Sequence, residues 1–247
     1  MRRRQGFPDA PAPDSSTGRK LARKVVEILR AANRAKKAES LWGASRSTTW
    51  FREGVVARLK DAAGPGEPCM YCDAGEASDV EHFKPKGSFP ELAFEWGNYL
   101  WVCGVCNSTY KGVRFPPVTE LGEPILHPYH DNVWDHFYID EFGHLNEILD
   151  SQGNKLPRAV STLDVLRLDR EALNVRRHDR LRQLRDAIND SLARFQSGEI
   201  DVGRLRGRMA EWIADSLQPD VAQYFLQGPG RTEQPFSEIL NIVGNNS

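Results

Sequence analysis

Four cysteines in two Cys-x-x-Cys pairs, Cys69/Cys72 and Cys103/Cys106, with no others in the chain, constrain this sequence more than any other feature. Two such pairs match the closed tetrahedral thiolate site that structural zinc prefers. Because all four positions are thiolates, none is left open for water, so a zinc ion here is scaffold and not catalyst. Disulfides or free buried thiols are the alternatives. No leader-like segment precedes the pairs, so a reducing cytoplasmic setting is expected, and that setting disfavours disulfides.

Between the pairs stands Glu81-His82, in the short apolar-flanked run Asp79-Val80-Glu81-His82-Phe83 that ends at Lys84-Pro85. Proline lacks a ladder donor and restricts the residue before it, so a strand is expected to stop there with His82 at its exit. An imidazole in that position can take a proton from water, and the adjacent carboxylate can hold a hard divalent cation. Successive strand residues point to opposite faces, so the two meet one phosphate only if the backbone turns, as the proline allows. Asn107 opens an expected short helix, Val105 to Lys111. Its amide oxygen suits magnesium, and Lys111 lies one turn on, where it could meet a phosphate oxygen. Asn98, ahead of the apolar run Tyr99-Leu100-Trp101-Val102, is better placed to brace the loop carrying His82 than to touch metal.

These residues, in this order and spacing, resemble the HNH endonuclease family, whose core is a β-hairpin and helix around one catalytic metal, the ββα-metal fold. Glu-His-Phe-x-Pro-Lys (Glu81 to Lys86), Phe89 to Trp96 and Cys-Asn-x-x-x-Lys-Gly (Cys106 to Gly112) are similar to the HNH proteins of bacterial anti-phage systems, Septu-type and retron-associated, which work beside an ABC-class ATPase. Phe115-Pro116, Ile125 to Pro128 and Leu163 to Arg177 extend the likeness to roughly residues 67–182. The resemblance implies that His82 is the general base, that Glu81 and Asn107 bind a catalytic magnesium or manganese ion, and that Asn98 orients the loop. The chain departs from the family pattern in having Glu81 where Asp is commoner and Asn107 where the last His of the motif stands. His127 occupies a place where the narrower group often has Asn or Asp, and no role is assigned to it.

The whole chain has 247 residues, 40% apolar, enough to bury a real core. Its net charge of −1 conceals an asymmetry: residues 1–60 hold 15 Lys+Arg against 5 Asp+Glu, leaving 18 against 29 of the totals of 33 and 34. Residues 1–17, with the Arg2-Arg3-Arg4 cluster, are expected to be a disordered basic tail, either solvated or gripping phosphates. Residues 18–66 are expected to be helical. One amphipathic helix runs from Gly18 to Ala38 and a second from Ser47 or Thr48 to Ala62, burying Trp50, Phe51, Val55 and Leu59, before Gly64-Pro65-Gly66. The nuclease core then covers 67–115. In the acidic segment, 116–157, residues 115–154 have no Lys or Arg and carry four of the six histidines, His127, His130, His136 and His144. Their spacing fits no ligand motif, and the segment suits solvent or a basic partner better than DNA. Residues 158–247 return to helices. A short one is expected near Ser161 to Leu168, a long one capped by Asp169, whose Arg176 and Arg177 could touch a substrate backbone, and another over Val202 to Leu217.

The expected fold is therefore α+β, a mainly helical chain around a zinc-stapled ββα core. The expected function is metal-dependent hydrolysis of phosphodiester bonds, with DNA as substrate and an ATPase partner. Lys84, Lys86, Lys111 and Arg114 are the expected nucleic-acid contacts. A tRNA-cutting toxin and a non-catalytic zinc-ribbon module are the alternatives. No run is long and apolar enough to cross a bilayer, and no phosphate-cradling Gly-rich loop suggests ATP binding within this chain.

Overall fold

Ser15 opens the first helix. In the computed structural model, which describes residues 7–117, 124–214, 224–225, 229–234 and 236–245, its hydroxyl accepts from Gly18 N at 3.0 Å. That bond answers one of the donors a helix start leaves without a partner, and α1 follows as Ser16–Leu29. The single helix expected as far as Ala38 is instead two. The chain turns at Arg30 and restarts because Asn33 caps α2 (Arg34–Ser45), accepting from Lys36 N at 2.9 Å. Asparagine competes for backbone donors and so favours a cap over a helix interior. The next helical segment consists of α3 (Thr49–Phe51), a π turn at Arg52–Val56 and α4 (Ala57–Ala63), and ends at Gly64. The π turn lies against α1 so closely that a Cβ on Gly54 would sit 2.1 Å from Thr17 Oγ1.

A short antiparallel hairpin, β1 (Asp79–His82) and β2 (Tyr99–Val102), pairs Glu81 with Leu100 and His82 with Tyr99. β1 stops ahead of Lys84-Pro85, where a ladder donor is lost. All four residues of β2 are buried, which is why it reads as an unbroken apolar run and not as an alternation. Helix α4 packs on β2, while α1 and α2 pack on the 3-10 turn Pro90–Leu92 of the hairpin's long connection. Ile28, Phe51, Val55, Leu59 and Leu100 are fully buried in this region. Past the hairpin, the stretch Val105–Lys111 forms a π turn where an ordinary short helix was expected, and Gly112 ends it at φ +50°.

The expected disorder as far as Thr17 does not hold from Phe7 onward. The Phe7 ring lies 5.0 Å from Tyr129 and 6.1 Å from Trp96, and Trp96 Nε1 donates to Pro8 O at 2.7 Å. One apolar ring and one indole donor are enough to tie down an otherwise polar segment. The Arg2-Arg3-Arg4 cluster lies outside the described residues.

The chain divides into two compact units, the first ending at Asn132 but also taking Ser161–Arg167, the second formed by Val133–Val160 and the residues from Leu168 on. The acidic segment is thus shared between them, and its residues 118–123 lie outside the described set. The second unit holds the hairpin β3 (Phe137–Ile139) and β4 (Leu145–Glu147), with helices α6 (Glu171–Gln196), α7 (Val202–Ala214) and α8 (Phe236–Asn245). The expected extension of α7 to Leu217 falls outside the described residues. Helix α5 (Pro157–Leu166) begins earlier than expected, on a proline whose fixed φ suits a first turn.

The tip of the β3–β4 hairpin packs on α6, and at Gly143, φ +83°, a Cβ would lie 2.5 Å from His178 N. Arg170, and not Asp169, stands at the N-cap position of α6, where it makes no side-chain capping bond. Arg177, expected as a possible backbone contact, is buried. Its guanidinium donates to Leu168 O and Asn174 Oδ1, both at 3.0 Å, so it serves the packing of the unit. Among the described residues no helix is long and apolar enough to cross a membrane.

Candidate metal centre and active-site cleft

The four cysteine sulfurs lie within 4.8 Å of one another, with Cys72 and Cys103 at 3.9 Å, and all four are buried and unoxidised. Zinc–sulfur bonds of about 2.3 Å in a tetrahedron separate the sulfurs by about 3.8 Å, so the donor set fits this ion. The backbone is shaped for that approach. Cys69 N donates to Gly75 O at 2.8 Å, Asp73 adopts φ +56°, and a Cβ on Gly75 would lie 3.1 Å from Cys103 Sγ. Shared thiol protons from Cys103, Cys106 and Cys69 push the Cys72 thiol far below its usual range, while burial pushes Cys69 up. Four buried sulfurs within reach of one point are a donor set that a single cation would complete. Among the described residues it is the one group of three or more His, Cys, Asp or Glu side chains close enough to hold a metal.

Beside the hairpin opens a cleft of about 920 Å³, lined by Glu81, His82, Lys86 and Asn107 from the central region and by Trp42 and Phe51 from the helices. His82 Nε2 lies 3.0 Å from Ala93 O. A carbonyl can only accept, so Nε2 carries the hydrogen and Nδ1 keeps its lone pair. Nδ1 has no hydrogen-bond partner among the described residues. Burial lowers the His82 pKa to about 4, with Lys86 and Lys111 adding to that effect and the Ala93 bond opposing it. The ring is wedged between Trp42, 4.3 Å away and edge-on, and Tyr99 at 5.5 Å, whose hydroxyl donates to the same Ala93 O at 2.9 Å. Two donors on one carbonyl and two aromatic walls leave the imidazole little freedom.

Glu81 and Lys111 form a buried ion pair. Lys111 has no exposed surface, and its ammonium also donates to His82 O at 3.0 Å. Lys111, expected to meet a phosphate oxygen, is thus turned inward, holding the strand exit and neutralising the carboxylate. Desolvation raises the Glu81 pKa against the pull of Lys111. Only Oε1 is engaged by the lysine. Asn107, half-buried on the π turn, lines the same cleft. One carboxylate oxygen and one amide are a sparse set, yet they fit magnesium, which keeps several waters and takes one or two protein ligands together with substrate phosphates.

Asn98 closes the loop that leads away from His82. Its Oδ1 accepts from Lys84 N at 2.7 Å, and its Nδ2 donates to Lys84 O at 3.0 Å and Leu92 O at 3.1 Å. Of the remaining expected contacts, Lys86 pairs with Glu39 at 3.2 Å, the Lys84 ammonium lies 5.7 Å from the Phe89 ring centre, and Arg114 pairs with Asp164 at 2.6 Å. His127 is buried against Phe83, its ring 4.5 Å away, with Nε2 lacking a partner and burial lowering its pKa to about 3. Three elements of the cleft were not read from sequence: Trp42 against His82, the Ala93 carbonyl, and Arg46 and Arg52 on its lining. Only Arg46 and Arg52 had an available signal, as cations beside the apolar positions Trp42 and Phe51.

No protein-family model matches the chain. It is 32% identical over 128 residues to the Septu protein PtuB of Bacillus thuringiensis, covering 50% of this chain and 44% of that protein. It is 33% identical over 89 residues to protein ea31 of Escherichia phage lambda, covering 36% of this chain and 29% of the phage protein. The chain thus spans less than half the length of the curated relatives it matches.

Proposed function

We propose that this chain is a metal-dependent endonuclease of the HNH type, acting on DNA as the nuclease effector of a bacterial anti-phage system together with an ATPase partner. The observation that carries the reading is the placement of His82: a buried imidazole with Nε2 fixed on Ala93 O and Nδ1 without a partner among the described residues, in one cleft with Glu81 and Asn107. The partial likeness to Septu protein PtuB supports the defence setting. The antiparallel hairpin followed by a helical turn supports a ββα-metal core, and the cysteine cluster supports a structural zinc.

In this reading His82 Nδ1 takes the proton of a water molecule that attacks phosphorus in line. The new P–O bond forms as the bond to the 3′ oxygen breaks, and that oxygen takes a proton from solvent, leaving 5′-phosphate and 3′-hydroxyl ends. Glu81 and Asn107 would hold a magnesium or manganese ion, which would supply stabilisation of the charge that develops on the departing oxygen. Ala93 and Tyr99 keep His82 in one tautomer and orientation, and Asn98 keeps the loop closed behind it.

The test is cleavage of a supercoiled plasmid with magnesium or manganese by the wild type and by His82→Ala, with zinc content and circular dichroism measured on both. A folded, zinc-loaded His82→Ala protein that has lost cleavage supports the reading, and one that cleaves as well as the wild type overturns it. Parallel digestion of tRNA assigns RNA as substrate if it alone is cut. A wild type that binds nucleic acid and never cuts it is a zinc-ribbon binding module. Whether the neighbouring reading frame encodes an ABC-class ATPase, and whether that protein co-purifies with this chain, tests the partner.

A further inference from the structure

We infer that Arg46 and Arg52, supplied by the N-terminal helices, form a clamp for the phosphodiester backbone of the substrate strand on the cleft that holds His82. The inference deepens the nuclease reading and rests on it. Four cations line the cleft: Arg46, Arg52, Lys60 and Lys86. Two of them are already answered by acids, Lys60 by Glu67 at 2.9 Å and Lys86 by Glu39 at 3.2 Å. Arg46 and Arg52 are exposed and have no side-chain partner among the described residues. Unpaired guanidiniums on a concave surface suit phosphate, whose oxygens accept the planar fork bidentately.

The placement of both arginines is built into the fold. Arg46 is the C-cap of α2, about one helical turn beyond Trp42, whose backbone carbonyl accepts the Arg46 N–H at 3.0 Å and whose ring touches His82. Arg52 follows Phe51, which packs edge-on against Trp42 at 5.2 Å, so both arginines are tied through one aromatic pair to the candidate base. Arg52 is also the first residue of the π turn that Gly54 and Thr17 hold against α1. A π turn interrupts the regular succession of side chains around a helix, which is how such turns re-aim residues at functional sites. Guanidinium–phosphate contacts carry no base information, so the clamp recognises the backbone of any sequence.

The bland account of these residues is that Arg46 sits at a helix C-terminus, where a cation favours the dipole, and that Arg52 is a solvated charge. That account predicts a change in stability and none in binding. The experiment uses the full-length zinc-loaded chain carrying His82→Ala, titrated without divalent cation into a fluorescein-labelled duplex DNA and read by anisotropy over a salt series. Arg46→Gln/Arg52→Gln is compared with Arg34→Gln/Lys36→Gln, a pair on α2 outside the cleft that removes the same net charge.

The clamp predicts that the cleft pair loses affinity by roughly tenfold or more per arginine and lowers the slope of log K against log salt by about 1.8. The control pair is expected to keep both within experimental error, with thermal melting unchanged in each. Equal losses from the two pairs, an unchanged salt slope for the cleft pair, or no DNA binding by the parent protein overturns the clamp. If the protein with His82 intact cuts plasmid and the arginine pair proves dispensable, the clamp alone fails. If the pair governs binding and no cation supports cutting, the nuclease reading alone fails.

Discussion

At the cysteine cluster four identical donors converge, whereas at the adjoining cleft the buried carboxylate of Glu81 is already held by Lys111. The first arrangement is a complete set of four donors for one zinc ion. The second pairs its buried carboxylate internally with Lys111, with Asn107 on the same lining. The difference teaches how an unfilled set of metal donors and a self-balanced charge pair are kept apart beside one short hairpin. On the proposed reading, a scaffold ion would complete the first, while a working ion at the second would need the further oxygens and charge that substrate phosphates bring.

The comparison can be broken most directly at the cage. Structural zinc contributes apparent free energies of about 10–16 kcal/mol, comparable to or larger than the ~5–15 kcal/mol total stability of an ordinary domain. Cys72→Ser, or treatment with a strong chelator, is therefore expected to abolish cooperative unfolding of the first unit. Metal release followed colorimetrically, together with near-ultraviolet dichroism, checks this, and a metal-free protein that melts as before would dissolve the contrast. Removing Lys111 attacks the other side. Lys111→Ala leaves the Glu81 carboxylate buried and alone, a loss of about 3–5 kcal/mol, and Glu81→Gln in the same chain is expected to restore most of it. Urea unfolding of the four zinc-loaded proteins reads the cycle. A loss well under 1 kcal/mol for Lys111→Ala would mean that the pair does not anchor the cleft.

The smallest expected effect sharpens the comparison instead of breaking it. Asn98→Ala removes three hydrogen bonds from the loop between Lys84 and Leu92, at about 2 kcal/mol, and leaves the sulfur cage untouched. Amide exchange at Lys84 is expected to accelerate while zinc content stays at the wild-type value. Unchanged exchange at that amide would count against the clasp.

How much of this was legible in the sequence follows from which interactions are local. Cysteine spacing, a strand halted by Pro85 and a breaker at Gly64 are statements about neighbours along the chain, and each corresponds to an observed feature. That Glu81, His82 and Asn107 share one cleft was legible through the cysteine pairs, which close the loops bearing them. The inward turn of Lys111 was not, because a lysine four residues from a candidate ligand reads as a surface cation until the opposing carboxylate is known to be desolvated. Arg177 failed for the same reason, its partners being the Leu168 carbonyl and a neighbouring asparagine. The break between α1 and α2 was missed because helix-favouring residues on both sides of Asn33 outweighed a single capping signal.

The turn from Val105 to Lys111 carries an implication for anyone who would transplant or trim this motif. A π turn is a helix with one surplus residue, and here the surplus falls between the sulfur of Cys106 and the ammonium of Lys111. Deleting a residue within Ser108–Tyr110 would let the stretch settle into an ordinary coil of the helix, keeping the sulfur while swinging the ammonium by about 100° around the axis. The stranded acid would then face an empty corner, so the length of this segment, more than its composition, couples the cage to the chemistry beside it.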